Sequence, residues 1–439
     1  MKIQKSVVLL AVAAMSAGTV FGAGFGIYEA SARGNAMAGG LVGSTGDASA
    51  NYYNPANLTE VTNISVMAGA TFINPFCDVD VTDVTGQRQK QRQQKMNPGW
   101  FPPPHFYISA PITEDLFVGF GSYCEFGLGS KYDNNWALKY DTTETTMEQF
   151  TFNPNIAYKI TEDWSIAVGA RMSYITFENY KTPLDGYASS INPGFAPMDS
   201  MLGRQYIRTH LKGDDFACGY VLATQYKVTD DLRLGAVYRS RISHKLTGDF
   251  DASGSVHPAV TTATGGKVAV PPSGDASAKL NLPSSVAFGA NYDFTDNFRG
   301  GVSVTWTEWS SVHHIDFRLP PPSSRRLMLN WHDVWRFGVG FEYDFTDDLC
   351  GRMGYTYDMD PSADAYGTTM IPPGDRHIIG FGVGYKILDN LRLDLGYSFI
   401  LMESSERMIH DESGLRDPQK FSCDNAYSHL ASFSISYSF

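Results

Sequence analysis

Six short turn signals recur along the chain, and each lies between two runs in which apolar and polar residues alternate. After the last turn, for example, Leu391, Leu393 and Leu395 alternate with Arg392 and Asp394. A period of two is typical of strands with one apolar face, and Asp and Asn suit turns because their side chains bond the local backbone. The chain therefore reads as a series of antiparallel strands. The turn signals are residues 113–115, 161–163, 229–231, 295–297, 346–348 and 388–390.

The intervals between these turns are too long for single strands, so each divides into a strand, a long polar loop and a returning strand. One such unit precedes the first turn and another follows the last, which gives seven hairpins and fourteen strands. Both chain ends then lie on the short-turn side, as in bacterial outer-membrane barrels. We predict an all-β fold, a 14-stranded antiparallel transmembrane β-barrel. The predicted long loops are residues 77–98, 129–145, 181–205, 251–277, 319–328, 360–372 and 410–419.

The composition favours a β-barrel over a helical membrane protein or a nucleic-acid-binding protein. Charged residues make up 18 % and aromatic residues 13 % of the chain, and no apolar run past the first 25 residues approaches the ~18 residues of a spanning helix. The net charge of −12 argues against a nucleic-acid partner, because phosphate binding needs clustered positive charge. Aromatic residues flank the turns, as expected at a membrane boundary. They are Tyr158, Trp164, Phe294, Phe298, Tyr343 and Phe345.

The first residues predict export. Lys2 and Lys5 precede an apolar run, and small residues lead to Gly22, so residues 1–22 are interpreted as a secretory signal peptide. The five cysteines are an odd number without metal-ligand or redox spacing, and we interpret them as small apolar side chains. A disulfide is possible, but its partners cannot be predicted from the spacing.

Residues 23–62 do not alternate and are rich in small side chains, which lets the backbone pack closely. A segment of about forty residues is the right size for a plug, or hatch, inside a fourteen-stranded lumen. We therefore predict three parts: the signal peptide, an N-terminal hatch over 23–62 and the barrel over 63–439.

The hatch sequence resembles the N-terminal signature of the FadL family of outer-membrane transporters for long-chain fatty acids and other hydrophobic compounds. The shared pattern is Arg33-Gly34 and Gly39-Gly40 within a small-residue run, then residues 47–50 and Asn54-Pro55-Ala56. Further matching stretches follow in order up to the C-terminus. They are residues 126–130, 280–283, 306–310 and 371–376.

The resemblance implies that a hydrophobic ligand lands between outer loops, enters a buried pocket by passive diffusion and leaves sideways through the barrel wall of a Gram-negative outer membrane. It also implies a mobile hatch end and a strand kink, although Asn-Pro could mark a simple turn and the glycines a strand end. The implied hatch residues are Ala23, Gly24, Phe25, Asn54, Pro55 and Ala56. The implied kink and lateral-exit residues are Phe126, Gly127, Leu128 and Gly129.

The loop over 181–205 carries more apolar surface than a solvated loop needs, so we assign it to ligand capture together with the loop over 251–277. Packing of the loop against itself is an equally good explanation. The apolar residues are Ile191, Phe195, Met198, Met201 and Leu202.

A carboxylate head group would need a cation in the lumen, and the alternation points Arg171 and Arg376 inward. For Arg376 we favour a pair with the adjacent Asp375. Family members can carry a basic ligand contact on the fifth strand, but residues 174–178 hold none, so a neutral substrate such as an aromatic hydrocarbon is the alternative to a long-chain fatty acid. Basic residues in the loop over 77–98 could touch lipopolysaccharide phosphates, although a solvated charge run is the better explanation of them.

Other functions are less consistent with the sequence. A lipase would need a Ser and a His converging with an orienting residue, and His313, His314 and His332 lie near no nucleophile motif. His314 and Asp316 share a strand face and could form a weak metal site. A general porin has no use for a hatch, and an adhesin has no use for a ligand pocket. We expect a monomer without cofactor or bound metal, in contact with outer-membrane lipid, that carries a long-chain fatty acid or another hydrophobic ligand.

Overall fold

The protein forms one closed antiparallel barrel of fourteen strands, as predicted. The computed structural model describes residues 24–83, 94–96, 99–321, 323–411 and 416–439. Consecutive strands pair along the whole chain, and the first strand pairs with the last to close the sheet. Closure leaves no open sheet edge, which a lipid-embedded sheet requires.

The strands alternate with long loops at one end of the barrel and short turns at the other, and seven of them are interrupted. They are β1 (Ser65–Asp83), β2 (Gln94–Lys95 and Pro104–Pro111), β3 (Leu116–Tyr123 and Gly127–Lys131), β4 (Glu144–Lys159), β5 (Trp164–Tyr187), β6 (Arg204–Lys227), β7 (Leu232–Arg239 and Ile242–Ser255), β8 (Gly274–Leu282 and Ser285–Thr295), β9 (Phe298–Thr307 and His314–Arg318), β10 (Ser324–Met328 and Val334–Asp344), β11 (Leu349–Asp358), β12 (Arg376–Leu388), β13 (Leu391–Met402 and Ser405–Ile409) and β14 (Gln419–Ser438).

The alternation in sequence becomes an apolar outer face and a small or polar inner face. Ile156 and Val168 point outward and are about half exposed, at 53 % and 51 %, whereas the neighbouring Asn155 is buried inside the barrel. Aromatic rings stack beside the short turns, with the Phe294 and Phe298 ring centroids 5.0 Å apart. The outer surface is therefore suited to a bilayer with an aromatic boundary.

The turns are stabilised by threonine more than by the Asp and Asn side chains that the sequence analysis emphasised. The Thr113 hydroxyl accepts hydrogen bonds from the backbone N–H groups of Asp115 and Leu116. Thr161, Thr229 and Thr346 repeat this arrangement. In these four triplets the first residue is thus the one that closes the turn.

Several loops are shorter than predicted, because the strands continue outward past the residues in which apolar and polar side chains alternate. β5 runs to Tyr187 and β6 begins at Arg204, so the predicted loop over 181–205 shrinks to 188–203. The loop over 251–277 shrinks in the same way to 256–273. Both sides of these outer extensions carry polar residues, which removes the contrast that marks a strand in sequence.

Residues 24–64, here called the N-terminal segment, pack against the inner face of the barrel. Backbone approaches closely there: a Cβ at Gly396 would lie 2.5 Å from the Ala32 carbonyl oxygen. Among the described residues, no helix is long and apolar enough to cross a membrane. The helices of the N-terminal segment are α1 (Ala32–Ala36), α2 (Ala50–Tyr53) and the 3₁₀ helix Pro55–Glu60. Those of the outer loops are α3 (Asp199–Leu202), α4 (Pro258–Ala263) and the 3₁₀ helices Ala188–Ser190 and Pro193–Met198, and a further 3₁₀ helix, Trp309–Ser311, lies in the interruption of β9.

Candidate functional site: a chamber inside the barrel

An ionic network fixes the N-terminal segment to the barrel wall near the short-turn end. Arg33 donates to both carboxylate oxygens of Glu342 on β10, at 2.9 and 2.6 Å, and to Asp47 at 2.9 Å. Glu342 also accepts from Arg299 at 3.1 Å and Arg352 at 2.7 Å. A cavity of about 600 Å³ opens beside the turns and reaches this network. Arg33, Arg299, Glu342 and Arg352 therefore line this cavity.

Asn54 makes a second attachment. Its amide nitrogen donates to the Val42 carbonyl oxygen at 2.8 Å and to the Thr224 carbonyl oxygen of β6 at 3.2 Å. Its side-chain oxygen accepts from the Ala56 backbone N–H at 3.0 Å. Only the donor side of Asn54 therefore bonds the wall. Pro55 and Ala56 are buried beside it.

The first described residues of the N-terminal segment lie in an apolar chamber, which we define as the buried cluster around Phe25. The Phe25 ring centroid lies 5.8 Å from that of Phe126, 4.8 Å from Trp309 and 5.6 Å from Trp331. The two tryptophans come from the interruptions of β9 and β10, where the chain leaves the ladder and turns inward. The other buried members are Leu128, Met147, Ile175, Ile242, Leu246, Leu280, Leu282, Val312, Leu329, Val334 and Met370.

Gly24 lies beside Trp309. A Cβ on Gly24 would lie 2.6 Å from the Trp309 ring, and the backbone φ of Gly24 is +61°. Glycine fits this position because it has no side chain and tolerates positive φ. Ala23, the remaining predicted hatch-end residue, lies outside the described residues.

The wall has a break next to this chamber. The ladder between β2 and β3 ends at the pair Phe106–Ser122, and in the described part of the chain the outer segment of β3 pairs only with β4. The N-terminal segment covers part of the open edge, because Ile27 N–H donates to the Glu125 carbonyl oxygen at 2.8 Å and Gly127 N–H donates to that of Phe25 at 2.9 Å.

The four predicted kink residues lie at this break, but they are divided between the interruption of β3 and the outer segment that follows it. The interruption of β3 covers residues 124–126, so Phe126 lies within it, whereas Gly127, Leu128 and Gly129 open the outer segment. A Cβ on Gly127 would lie 2.7 Å from the Ile27 Cδ1 atom. Gly127 is therefore explained by close approach of the N-terminal segment.

A cavity of about 60 Å³, here called the arginine cavity, adjoins the chamber at Phe126. Its charged lining consists of Arg171, Arg239, Arg336 and Glu125, so positive groups exceed negative ones by two. Arg171 forms an ion pair with Glu125 at 2.6 Å, and Arg239 Nε lies 3.6 Å from the same carboxylate. The cavity therefore carries more positive charge than its own carboxylate balances.

Arg336 is held by aromatic and acidic neighbours. Its guanidinium lies 4.2 Å from the Tyr28 ring centroid, and its Nε is 3.9 Å from an Asp358 carboxylate oxygen. The Nε is buried and lacks a hydrogen-bond partner among the described residues, although buried donors are normally paired.

The predicted inward orientation of Arg171 and Arg376 is correct, but the predicted partner of Arg376 is wrong. Arg376 forms an ion pair with Asp358 on the neighbouring β11. Asp375 instead accepts hydrogen bonds from the Tyr357 hydroxyl and the Asp360 backbone N–H. Strand register places Asp358 directly opposite Arg376, whereas residues adjacent in a strand point to opposite faces.

The sequence analysis missed Arg239 and Arg336, although the signal was present. Leu234 and Tyr238 face outward on β7, so the alternation that points Arg171 inward also points Arg239 inward. The outward Phe337 places Arg336 on the inner face in the same way.

The predicted capture loop is mostly packed against its own neighbours. Ile191, Phe195 and Leu202 contact an apolar cluster shared with the loop over 256–273. Met198 and Met201 remain exposed, at 38 % and 70 %. Self-packing thus accounts for three of the five residues, and the two methionines are left at the surface.

Two other predicted features lie at the outer end. His314 is 3.4 Å from Asp316, whose carboxylate also binds Arg326. In the described ranges, no three His, Cys, Asp or Glu side chains group as metal ligands. Most of the basic residues proposed to touch lipopolysaccharide lie outside the described residues.

Sequence comparison identifies the family. The model of a family described as outer membrane protein transport protein (OMPP1/FadL/TodX) matches residues 13–439. The chain belongs to this family. It is similar to a long-chain fatty acid transport protein of Escherichia coli O6:H1, with 26 % identity over 426 residues and 90 % of each chain covered. As a FadL-family protein it is an outer-membrane β-barrel, and its relatives are transporters of hydrophobic substrates.

Solved structures share the fold. A FadL homologue of Pseudomonas aeruginosa superimposes with a TM-score of 0.83 at 22 % identity, covering 95 % of this chain and 100 % of that one. The toluene transporter TodX of P. putida gives a TM-score of 0.68 at 19 % identity, covering 93 % and 98 %.

Proposed function

We propose that this FadL-family protein takes up long-chain fatty acids. The observation that carries this proposal is the contact between the apolar chamber and the arginine cavity, which meet at Phe126. The chamber suits an alkyl chain, and the cavity, with its excess of two positive groups, suits a carboxylate. An amphiphile with one negative end fits both parts at once.

The N-terminal segment controls access to the chamber in this proposal. Burial of a sixteen-carbon chain is worth on the order of 10 kcal/mol at about 0.8 kcal/mol per methylene, so release would be slow without a change in the pocket. Phe25 occupies the chamber and the free volume beside it is only about 60 Å³. The ligand therefore enters by displacing Phe25, and the return of Phe25 helps to expel the ligand.

The proposed path has an entrance at the loops and an exit through the wall. The exposed Met198 and Met201 offer a flexible apolar landing surface. From the chamber, the break between β2 and β3 leads towards the bilayer. The network around Arg33 and Glu342 closes the short-turn end, which favours sideways release.

Neutral aromatic hydrocarbons are the second candidate substrate. Ile175 and the adjacent inward-facing Phe177 contribute apolar rather than basic side chains to the chamber from β5. The structural relative TodX is described as a toluene transporter. A neutral ligand would occupy the chamber alone and leave the arginine cavity empty.

Uptake measurements distinguish these possibilities. Cells without their own fatty-acid transporter should accumulate radiolabelled oleate when they express this protein, and unlabelled oleate should compete. Accumulation of toluene without oleate would support the second candidate. Sustained ion conductance of the purified protein in a planar bilayer, without accumulation of either compound, would instead indicate a general porin.

A further inference from the structure

Two cysteines meet at the seam where the first and last strands close the barrel. Cys423 of β14 lies directly opposite Val79 of β1. Cys77 precedes Val79 by two residues and shares its inward face. Both cysteines are buried, with exposures of 3 % for Cys77 and 1 % for Cys423.

A β-bulge lies at Cys77, close to Cys423 in the register of the two strands. Phe76 pairs with Tyr427 and Asp78 pairs with Asp424, so Cys77 alone faces two residues of β14. One of them, Asn425, has a φ of +50°. A bulge increases the local twist and re-aims the neighbouring side chains. Cys423 lies two residues before Asn425, so both cysteines are at this bulge.

The surroundings suit a structural cross-link. Cys77 and Cys423 belong to one apolar cluster with Tyr132 and Trp136 of the loop after β3, which excludes water from the thiols. An outer-membrane protein crosses the periplasm before it folds, and that compartment is oxidising. The remaining three cysteines are on other strands or in the interruption of β3.

We propose that Cys77 and Cys423 form a disulfide that covalently closes the barrel. The oxidant is the disulfide of a periplasmic thiol–disulfide oxidoreductase. One cysteine thiolate attacks this disulfide to give a mixed disulfide, and the second thiolate displaces the oxidoreductase. Each cysteine loses one proton, and the two electrons leave with the oxidoreductase, which is released as a dithiol. The cross-link joins β1 to β14 and restricts the unfolded chain.

Mass spectrometry tests this proposal on the full-length protein. Cells with an oxidising periplasm are treated with N-ethylmaleimide before lysis, and the protein is purified from outer membranes and digested with trypsin. Cys77 lies in fragment 34–88 and Cys423 in fragment 421–439, and neither fragment contains another cysteine. We expect one joined species, two hydrogens lighter than the sum of the fragments, that a reductant separates. Both fragments carrying N-ethylmaleimide instead would overturn the proposal.

Variants provide the controls. Cys218→Ser changes an exposed cysteine on the outer face and should leave the joined fragment intact. Cys423→Ser should abolish it. In addition, reductant should lower the temperature at which the wild-type barrel unfolds on a semi-native gel and should have no effect on the Cys77→Ser/Cys423→Ser double variant. Equal effects on both proteins would contradict a stabilising cross-link.

Discussion

At the residue scale, Arg336 is the clearest candidate for binding a carboxylate. Its buried Nε–H has no hydrogen-bond partner in the described part of the chain, and the cavity beside it holds two further arginines and one glutamate. Hydrogen bonds to charged groups contribute about 1.5–3 kcal/mol. Arg336→Gln should therefore weaken oleate binding about ten- to hundredfold, measured by titration calorimetry in detergent.

Binding of methyl oleate distinguishes the loss of the Arg336 charge from a change in the structure of the chamber. Binding of this neutral ester should change little in Arg336→Gln. The matched control is Arg241→Gln, because Arg241 is 43 % exposed, pairs with Glu308 and does not line the arginine cavity. Equal weakening of oleate and its ester would show that Arg336 supports the chamber structure instead of binding the carboxylate.

Phe25 provides a second residue-scale prediction. The Phe25 ring occupies the chamber that the ligand needs, and burial of such a side chain is worth about 1.5–3 kcal/mol. Phe25→Ala removes this competitor, so methyl oleate should bind about ten- to hundredfold more tightly. Phe345→Ala, which changes a 64 % exposed outer residue, should leave binding unchanged. Unchanged binding in Phe25→Ala as well would mean that the ligand site lies elsewhere.

The sequence predicted the direction in which single side chains point better than it predicted their ion-pair partners. Alternation alone placed Arg171 on the inner face, and the same rule would have found Arg239. The ion pair of Arg376 with Asp358 depends on the register between β11 and β12, which a single sequence does not contain. Trp309 and Trp331 were not predicted to reach the chamber, because they lie in strand interruptions where the period of two fails.

At the scale of elements, the N-terminal segment depends on Arg33 for its attachment. Arg33→Gln would break the bonds to Glu342 and Asp47, while Arg299 and Arg352 would still neutralise Glu342. The barrel should therefore fold, but the segment should loosen. We expect ion conductance in planar bilayers that the wild-type protein does not show.

The control for this experiment is Lys227→Gln. Lys227 forms an ion pair with Asp230 in an exposed turn, where its hydrogen bond lowers the pKa of the Asp230 carboxyl. Loss of such a surface pair has little effect on stability. If Arg33→Gln remained as closed as Lys227→Gln, the network around Glu342 would not be what holds the segment.

The break beside β3 supports a prediction about release. Gly127 faces the Ile27 side chain so closely that even a Cβ would lie 2.7 Å from it, and the Phe101 ring is 3.6 Å away. Gly127→Leu should fill this break and reduce oleate uptake by cells about tenfold or more, with the folded barrel retained on a semi-native gel. Unchanged uptake would show that the ligand leaves by another route.

At the scale of the whole molecule, local signals were enough to predict the barrel but not its interior. Turns and period-two strands are encoded within a few residues, so the fourteen strands could be counted from triplets such as the one at Thr229. The N-terminal segment has no such period. Its contacts join residues far apart in the chain, for instance Arg33 with Glu342, and only the closed barrel brings them together.

Photo-crosslinking tests the central claim, that a hydrophobic ligand passes through the chamber inside this barrel. A fatty acid with a diazirine on its alkyl chain is added to outer membranes that contain the protein. The sample is irradiated, and the labelled residues are identified by mass spectrometry. The account predicts labelling of Phe126, Trp309 or Trp331, suppressed by excess oleate and increased in Phe25→Ala. Labelling confined to outward residues such as Phe216 and Leu222, and insensitive to oleate, would contradict it.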